Sequence, residues 1–169
     1  LVKTSVQSVS NQAAQTVYEA NQDITKQYKW IATLDSRTAP ECRILDQTVH
    51  KYGEGPTPPQ HFGCRCRTTA VLDYKGLGVD PPDYKFVKRA GEGGSVPIGM
   101  SYGKWLSGQS QSYKALALGQ SKVKYFNALT KKYGADQALK KLVRQDGSAK
   151  TLIQLEKAYT KTPAKKLAT

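Results

Sequence analysis

The first 24 residues alternate apolar and polar side chains at regular steps. Apolar residues recur at steps of three or four: Val2, Val6, Val9, Ala13, Val17, Ala20 and Ile24. We call these seven positions the apolar stripe. Such spacing puts them on one side of an α-helix and predicts an amphipathic helix over residues 2–24. Most residues between them are Ser, Gln, Asn and Thr, so the opposite, polar face carries little charge and is suited to packing against other chains.

Shorter patterns after this helix predict a small sheet. Residues 28–34, 48–52 and 65–72 are rich in aromatic and β-branched side chains and predict three strands. Pro40 can open a short helical turn, and residues 53–59 (GEGPTPP) form a loop that cannot enter a sheet interior. The sequence therefore predicts an α+β fold in which a long N-terminal helix and a small antiparallel sheet come first. The core positions of this unit are Trp30, Ile31, Leu34, Leu45 and Val71.

The second half of the chain changes character. Glycines and prolines are frequent over residues 75–99, which predicts an extended linker after a core of residues 1–74. Helical spacing then returns, with Trp105 and Leu106 in a short helix and Val123, Phe126, Leu129 and Tyr133 in a longer one. Residues 135–143, with Leu139, Leu142 and Val143, predict a third helix, and residues 151–159 predict a last one. We therefore expect a helical basic region over residues 100–159 and a mobile basic tail over residues 160–169. The chain has no apolar run long enough to cross a membrane.

Charge is distributed unevenly. The net charge is +13; residues 1–78 hold 9 Lys/Arg against 7 Asp/Glu, and residues 79–169 hold 17 against 6. Lysines make up 15 of those 17 cations, and lysine suits loose phosphate neutralisation better than base reading. Two interpretations stand equally: sequence-independent DNA binding, or a solvated surface. The candidate DNA contacts are Lys122, Lys124, Lys131, Lys132, Lys140, Lys141, Lys165 and Lys166.

All three cysteines and both histidines fall within residues 29–67. Thiolates and imidazole are zinc ligands, so Cys42, His61, Cys64 and Cys66 are a candidate structural zinc site. The spacing is imperfect, because the two cysteines of a Cys-x-Cys rarely bind one tetrahedral metal without strain. The alternative, which is commoner, is that buried thiols and a hydrogen-bonded histidine stabilise the loop without metal.

Two other chemistries of these residues are weaker. A disulfide is disfavoured by the odd cysteine count and the lack of an export signal pattern. A catalytic Cys–His pair, oriented by Asp35 or Asp46, is disfavoured because the thiols lie in a strand-like Cys-Arg-Cys-Arg run rather than at a helix start. We therefore predict no catalytic residues.

Other side chains of residues 29–67 can be explained by ordinary structural roles. Trp30 is expected in the core, and Asp35 and Arg37 are expected to form a turn with a salt bridge. Arg65 and Arg67 alternate with the two cysteines of the run, so one strand face would carry the arginines and the other the thiols.

The order of motifs resembles the phage head morphogenesis family, the minor head proteins of Mu-like and related tailed phages. The positions that carry the resemblance are Trp30, Asp35, Arg37, Thr38, Pro40, Cys42, Arg43, Leu45, Asp46, Pro58, Pro59, His61, Cys64, Arg65 and Cys66. Two positions depart from the family pattern. Ala39 stands where many members have a further cysteine, and Gln47 stands where many have a glycine.

Weaker similarities extend along the chain. Lys3, Thr4 and Ser5 are a loose version of the signature that opens the family's first helix. Downstream, the segment with Tyr102, Trp105, Leu106 and Gln109 is similar to the family's Tyr-x-x-Trp-Leu-x-x-Gln motif. The resemblance thus covers most of residues 1–159.

The resemblance implies a structural protein of the virion head near the portal vertex, present in the host cytoplasm during assembly. Its implied role is head assembly, genome packaging or DNA ejection. The expected partners are the portal protein, the major capsid protein, other copies of the chain, and viral double-stranded DNA bound non-specifically; no membrane is expected. The apolar stripe would be buried against the portal or sibling copies. A different hypothesis is a zinc-stabilised nucleic-acid-binding module acting outside the particle, and an enzyme ranks last.

Overall fold

The computed structural model describes residues 2–159. Within these residues the chain forms two compact units: the first comprises residues 2–34 and 45–100, and the second comprises residues 35–44 and 101–159. The predicted α+β class is confirmed, with a long N-terminal helix, a small antiparallel sheet and C-terminal helices. None of the described helices has the length and apolar character needed to span a membrane. The predicted basic tail, residues 160–169, lies outside the described residues.

The first unit is built on one helix and a three-stranded sheet. Helix α1 spans Val2–Ala20, and strands β1 (Thr25–Ile31), β2 (Val49–Lys51) and β3 (Arg67–Leu72) pair antiparallel in the order β2-β1-β3. The helix ends four residues before the predicted boundary, because the Asn21 side chain donates to the Val17 carbonyl at 2.6 Å and starts a turn. Strand β1 accordingly begins three residues earlier than predicted.

The buried side of the sheet follows the two-residue period of a strand. Tyr28, Trp30, Ala32 and Leu34 are all buried, with Trp30 and Leu34 at 0% exposure as predicted. The other three predicted core positions, Ile31, Leu45 and Val71, are only half-buried. Ile31 directly follows Trp30, so its side chain points to the opposite face of β1.

Helix α1 contacts the sheet through its polar face rather than its apolar stripe. The polar residues recur at steps of three and four, as Thr4, Gln7, Asn11, Gln15 and Tyr18. Gln7 Nε2 donates to the Cys66 carbonyl at 2.7 Å, Gln15 Nε2 to Thr68 Oγ1 at 3.0 Å, and Tyr18 OH to the Thr68 carbonyl at 3.3 Å. The prediction that this polar face packs against other chains is therefore wrong, because β3 of the same chain offers it hydrogen-bond partners.

The predicted linker over residues 75–99 contains regular structure. A 3-10 turn at Tyr84–Phe86 leads into a hairpin of β4 (Lys88–Gly91) and β5 (Gly94–Pro97). The turn needs Gly93 and Gly94, whose φ angles are +90° and +140°. The sequence of residues 75–99 predicts a linker rather than a hairpin, because the two strands are only four residues long and carry no apolar alternation.

The second unit is helical. It contains most of α2 (Pro40–Leu45) and the helices α3 (Tyr102–Ser107), α4 (Gln111–Leu118), α5 (Gln120–Tyr133), α6 (Ala135–Leu142) and α7 (Leu152–Tyr159). All were predicted except α4. Most of the apolar positions that the helical spacing picked out are buried, but Tyr133 is 44% exposed. The buried ones are Trp105, Leu106, Val123, Phe126, Leu129, Leu139, Leu142 and Val143. Helices α3 and α6 approach so closely that a Cβ on Gly103 would lie 2.8 Å from the Asp136 backbone nitrogen.

Candidate functional site

A turn in the second unit joins several of the motif residues. Asp35 Oδ1 accepts hydrogen bonds from the Arg37 amide at 3.0 Å and from Thr38 Oγ1 at 3.1 Å. Arg37 Nη2 lies 3.8 Å from Asp35 Oδ2, although the Arg37 side chain is 80% exposed. The predicted turn and its salt bridge are both present.

Arg43 stabilises the same turn by donating hydrogen bonds to its backbone carbonyls. Its Nε donates to the Thr38 carbonyl at 2.5 Å and its Nη2 to the Ser36 carbonyl at 3.1 Å. The guanidinium lies 5.4 Å from the ring centroid of Tyr102, whose hydroxyl donates to the Asp35 carbonyl at 2.7 Å. Burial lowers the pKa of Arg43, and the nearby Tyr102 and Asp35 oppose that shift.

Asp46 belongs to the first unit and is part of a buried ion pair. Arg89 donates to both Asp46 carboxylate oxygens at 3.0 Å, in a bidentate arrangement in which the side chains are 5% and 0% exposed. Asp46 Oδ1 also accepts from the Ala32 amide at 2.8 Å, and Arg89 donates to the Met100 and Ala32 carbonyls. This ion pair connects the β4–β5 hairpin with strand β1 and the chain after α2.

Sequence reasoning missed Arg89. One signal was available: it is one of only two arginines among the 17 cations of residues 79–169. An isolated arginine within a lysine-rich half is typical of a fixed, bidentate role, because guanidinium matches carboxylate geometry and ammonium does not.

Trp30 occupies the centre of the first unit. Its backbone pairs with the segment after α2, since its amide donates to the Thr48 carbonyl and its carbonyl accepts from the Gln47 amide, both at 2.9 Å. Its indole Nε1 is buried and has no hydrogen-bond partner within the described residues. The side chain is a core residue, as predicted.

The three cysteines are all buried, at 0% (Cys42), 3% (Cys64) and 2% (Cys66) exposure. The sulfur atoms of Cys64 and Cys66 lie within 4.8 Å of each other, on the first unit, while Arg65 and Arg67 point to solvent as the alternation predicted. They belong to a group of thiols that could hold a metal ion. Sulfur is the right donor for zinc, and these two residues supply half of the four ligands that structural zinc takes.

His61 is not in that group among the described residues. Its ring is half-buried, with Nδ1 2.9 Å from the Phe62 carbonyl oxygen. Pro59 follows a buried Pro58 in the same loop, and the Gly63 amide donates to Thr4 Oγ1 of α1 at 3.0 Å. The loop is thus fixed to the first helix, and the role of His61 as a ligand stays a prediction.

The candidate DNA contacts lie on two helices of the second unit. Helix α5 carries Lys122, Lys124, Lys131 and Lys132 without any Asp or Glu, and α6 carries Lys140 and Lys141. The ammonium groups of Lys132 and Lys141 lie 5.2 Å and 4.5 Å from the ring centroid of Tyr133, so one aromatic side chain holds two of these cations together. Lys165 and Lys166 lie outside the described residues.

The second-half motif is structural. Tyr102, Trp105 and Leu106 of α3 are 0%, 4% and 0% exposed, and Trp105 contacts Tyr113 edge-on at 5.6 Å between centroids. The Gln109 side chain donates to the Trp105 carbonyl at 3.2 Å and extends the hydrogen bonding at the end of the helix.

The N-terminal part of the chain matches the model of a known protein family. The model of the Phage Mu protein F like protein family matches residues 1–69, which contain α1, β1, β2, the three cysteines and the start of β3. No curated protein and no solved structure matches the chain. The match ends before the Tyr102–Gln109 motif, whose similarity to the family stays a prediction. Residues 1–69 are therefore similar to the Phage Mu protein F like family, as the order of their motifs predicted.

Proposed function

We propose that the chain is a structural, non-enzymatic minor head protein of a tailed phage, located in the virion near the portal vertex. Its partners are the portal protein or the major capsid protein, sibling copies, and the packaged DNA. The observation that carries this proposal is the match of residues 1–69 to the Phage Mu protein F like family. Head assembly, genome packaging and DNA delivery are the steps in which such a protein would act.

The exposed apolar stripe supports attachment to other head proteins. Its four helical valines are 59–76% exposed, and Ala13 and Ala20 are exposed beside them. Because the sheet binds the opposite side of α1, this row of uncharged side chains is left for an external surface. Burying apolar area there would stabilise a complex by roughly 25 cal/mol per Å² before the costs of association.

The lysine-rich helices support contact with DNA. Four lysines on α5, unbalanced by any acid on that helix, supply charge without the arginine fork that reads bases. Binding of this kind is non-specific and weakens steeply with salt, because it releases counterions from the phosphates.

Catalysis receives no support from the thiols. Cys42, Cys64 and Cys66 are at most 3% exposed, so a substrate could not reach them as nucleophiles. A zinc ion is the finer proposal for this group. Cys64 and Cys66 would supply two of its ligands, and the ion would cross-link the loop after residue 53. Elemental analysis of purified protein should give near-stoichiometric zinc, and Cys64→Ser should lower the zinc content; metal-free, fully folded protein would contradict this.

Particle fractionation tests the structural role. The tagged chain should co-sediment with nuclease-treated heads, and Val6→Asp with Val9→Asp should abolish incorporation by charging the apolar stripe. Gln12→Asp, also exposed on α1, is the matched control and should incorporate normally. A soluble pool bound to DNA, with none in heads, would instead favour a zinc-stabilised nucleic-acid-binding module outside the particle, which the cysteine group and the lysine-rich helices also fit.

DNA retention tests the basic helices separately. Replacing Lys124, Lys131 and Lys132 by Gln should lower the slope of log affinity against log salt by about 2–3 units. The control removes three exposed lysines of the first unit, Lys26, Lys75 and Lys88, and should leave the slope nearly unchanged. If both triple variants lower the slope equally, α5 contributes to DNA binding only through the net charge of the chain and not as a specific contact surface.

A further inference from the structure

The second unit contains a cavity of about 240 Å³ that none of the proposed roles uses. Helices α4, α5 and α6 and the turn before α2 line it. Its walls are mostly aliphatic, formed by Leu118, Leu139, Leu142 and Val143 together with small side chains such as Ala117. A cavity of this size holds one aliphatic side chain with part of its backbone.

Three cations line the same cavity, Arg37, Arg43 and Lys122, and no acidic residue among residues 2–159 does. Lys122 is half-buried, and its ammonium group forms no hydrogen bond or ion pair with any of residues 2–159. Arg43 is 8% exposed; its guanidinium contacts backbone carbonyls and the Tyr102 ring, and the negative charges of Asp35 and Glu41 lie near it. Arg37 is partly neutralised by Asp35. The cavity therefore presents positive charge beside an apolar wall.

This combination selects its occupant by chemistry. A DNA phosphodiester would satisfy the cations but has no aliphatic group for the leucine wall. The chain's own last ten residues (TKTPAKKLAT) carry three lysines and no acid, so like charge disfavours them. An aliphatic side chain next to a carboxylate complements both the wall and the cations.

We propose that this cavity binds an acidic–aliphatic peptide segment of a partner protein, with the aliphatic side chain against Leu139 and Leu142 and the carboxylate facing Lys122 and Arg43. The inference goes beyond the proposed function, since it names the peptide chemistry through which a partner is held. It rests on the cavity alone and does not require DNA binding or incorporation into heads.

Methyl NMR titration of the full chain tests it with three small probes. Acetyl-Leu-Glu-amide should shift the methyl signals of Leu118, Leu139, Leu142 and Val143 and leave those of Val6 and Val9 in place. Acetyl-Leu-Gln-amide, which has nearly the same shape without the charge, should bind at least about threefold more weakly, as should acetyl-Ser-Glu-amide, which lacks the aliphatic group. Equal binding of the Glu and Gln probes, or shifts spread over the surface, would overturn the proposal.

Variants separate the site from general charge attraction. Lys122→Gln should weaken the Leu-Glu probe about two- to fivefold, while Lys131→Gln, an exposed lysine on the same helix, should have no effect. Ala117→Leu should reduce binding by filling the cavity. A short DNA duplex should leave the wall methyls unshifted; if it displaces the probe and Lys131→Gln weakens binding as much as Lys122→Gln, the cavity is part of a DNA surface and the proposal fails.

Discussion

The two units are stabilised by opposite kinds of contact. The second unit buries the apolar side chains that its helical periodicity marks, led by Phe126, Leu139 and Leu142. The first unit buries a polar helix face against its sheet and a bidentate Arg89–Asp46 ion pair, while the apolar stripe of α1 stays in solvent. Hydrophobic spacing therefore identifies the buried face of a helix only when the surface it meets is apolar.

This difference decides which side chains stay exposed. A helix fixed by amide and hydroxyl side chains leaves its apolar row exposed, whereas a helix fixed by its apolar row buries that row. In this chain the first arrangement occurs in the segment that matches the Phage Mu protein F like family. The substitutions below test whether the two units are stabilised by these different kinds of contact.

Phe126→Ala should have the largest effect, lowering the free energy of unfolding of the second unit by about 4 kcal/mol, because Phe126 is 0% exposed and leaves a cavity. Urea unfolding followed by Trp105 fluorescence in a Trp30→Phe background measures it. Leu116→Ala, 69% exposed on α4, is the control and should change little. Similar losses from both variants would mean that the helices do not pack as described.

Arg89→Met should lower the free energy of unfolding of the first unit by about 3 kcal/mol, because Asp46 is left buried and charged. Trp30 fluorescence in a Trp105→Phe background reports it. Adding Asp46→Asn should recover part of the loss, since the amide oxygen can still accept from Ala32. Lys88→Met, at an exposed neighbouring position, is the control. A loss of stability of the same size there would mean that the Arg89–Asp46 ion pair does not specifically stabilise the first unit.

Substitutions on the polar face of α1 should destabilise the first unit more than substitutions on its apolar stripe. Gln7→Ala should destabilise the first unit by about 1 kcal/mol through the lost bond to the Cys66 carbonyl. Val9→Ala, 66% exposed, should be neutral or slightly stabilising, because alanine is the better helix former. If Val9→Ala costs more in urea unfolding of the isolated chain, the stripe is buried within the chain after all.

Substitutions of Gln47 should differ by about as much as Gln7→Ala changes the stability of the first unit. Its φ of +65° is unfavourable for a side chain with a Cβ, and many members of the family resembled have glycine there. Gln47→Ala and Gln47→Gly both lose the bond from Nε2 to the Ile98 carbonyl, so their difference isolates the backbone strain. The Gly variant should be more stable than the Ala variant by about 1 kcal/mol in thermal unfolding; a more stable Ala variant would exclude strain at this position.

The sequence alone determined the elements whose signals are local. Periodicity predicted α1, α3, α5, α6 and α7, and runs of aromatic and β-branched residues predicted three strands. Alternation predicted the opposite faces of Arg65 and Cys66. The order of motifs from Trp30 to Cys66 was enough to identify the family of residues 1–69. Each of these depends on neighbours within a few residues, or on a fixed order of residue types.

Only the tertiary structure decided which face of α1 is covered, what Arg89 binds, and that residues 75–99 contain a hairpin. Arg89 and Asp46 are 43 positions apart, and Gln7 and Cys66 are 59 apart. No local pattern encodes such pairs, because a polar side chain becomes a favourable buried contact only when the fold brings it a matching donor or acceptor.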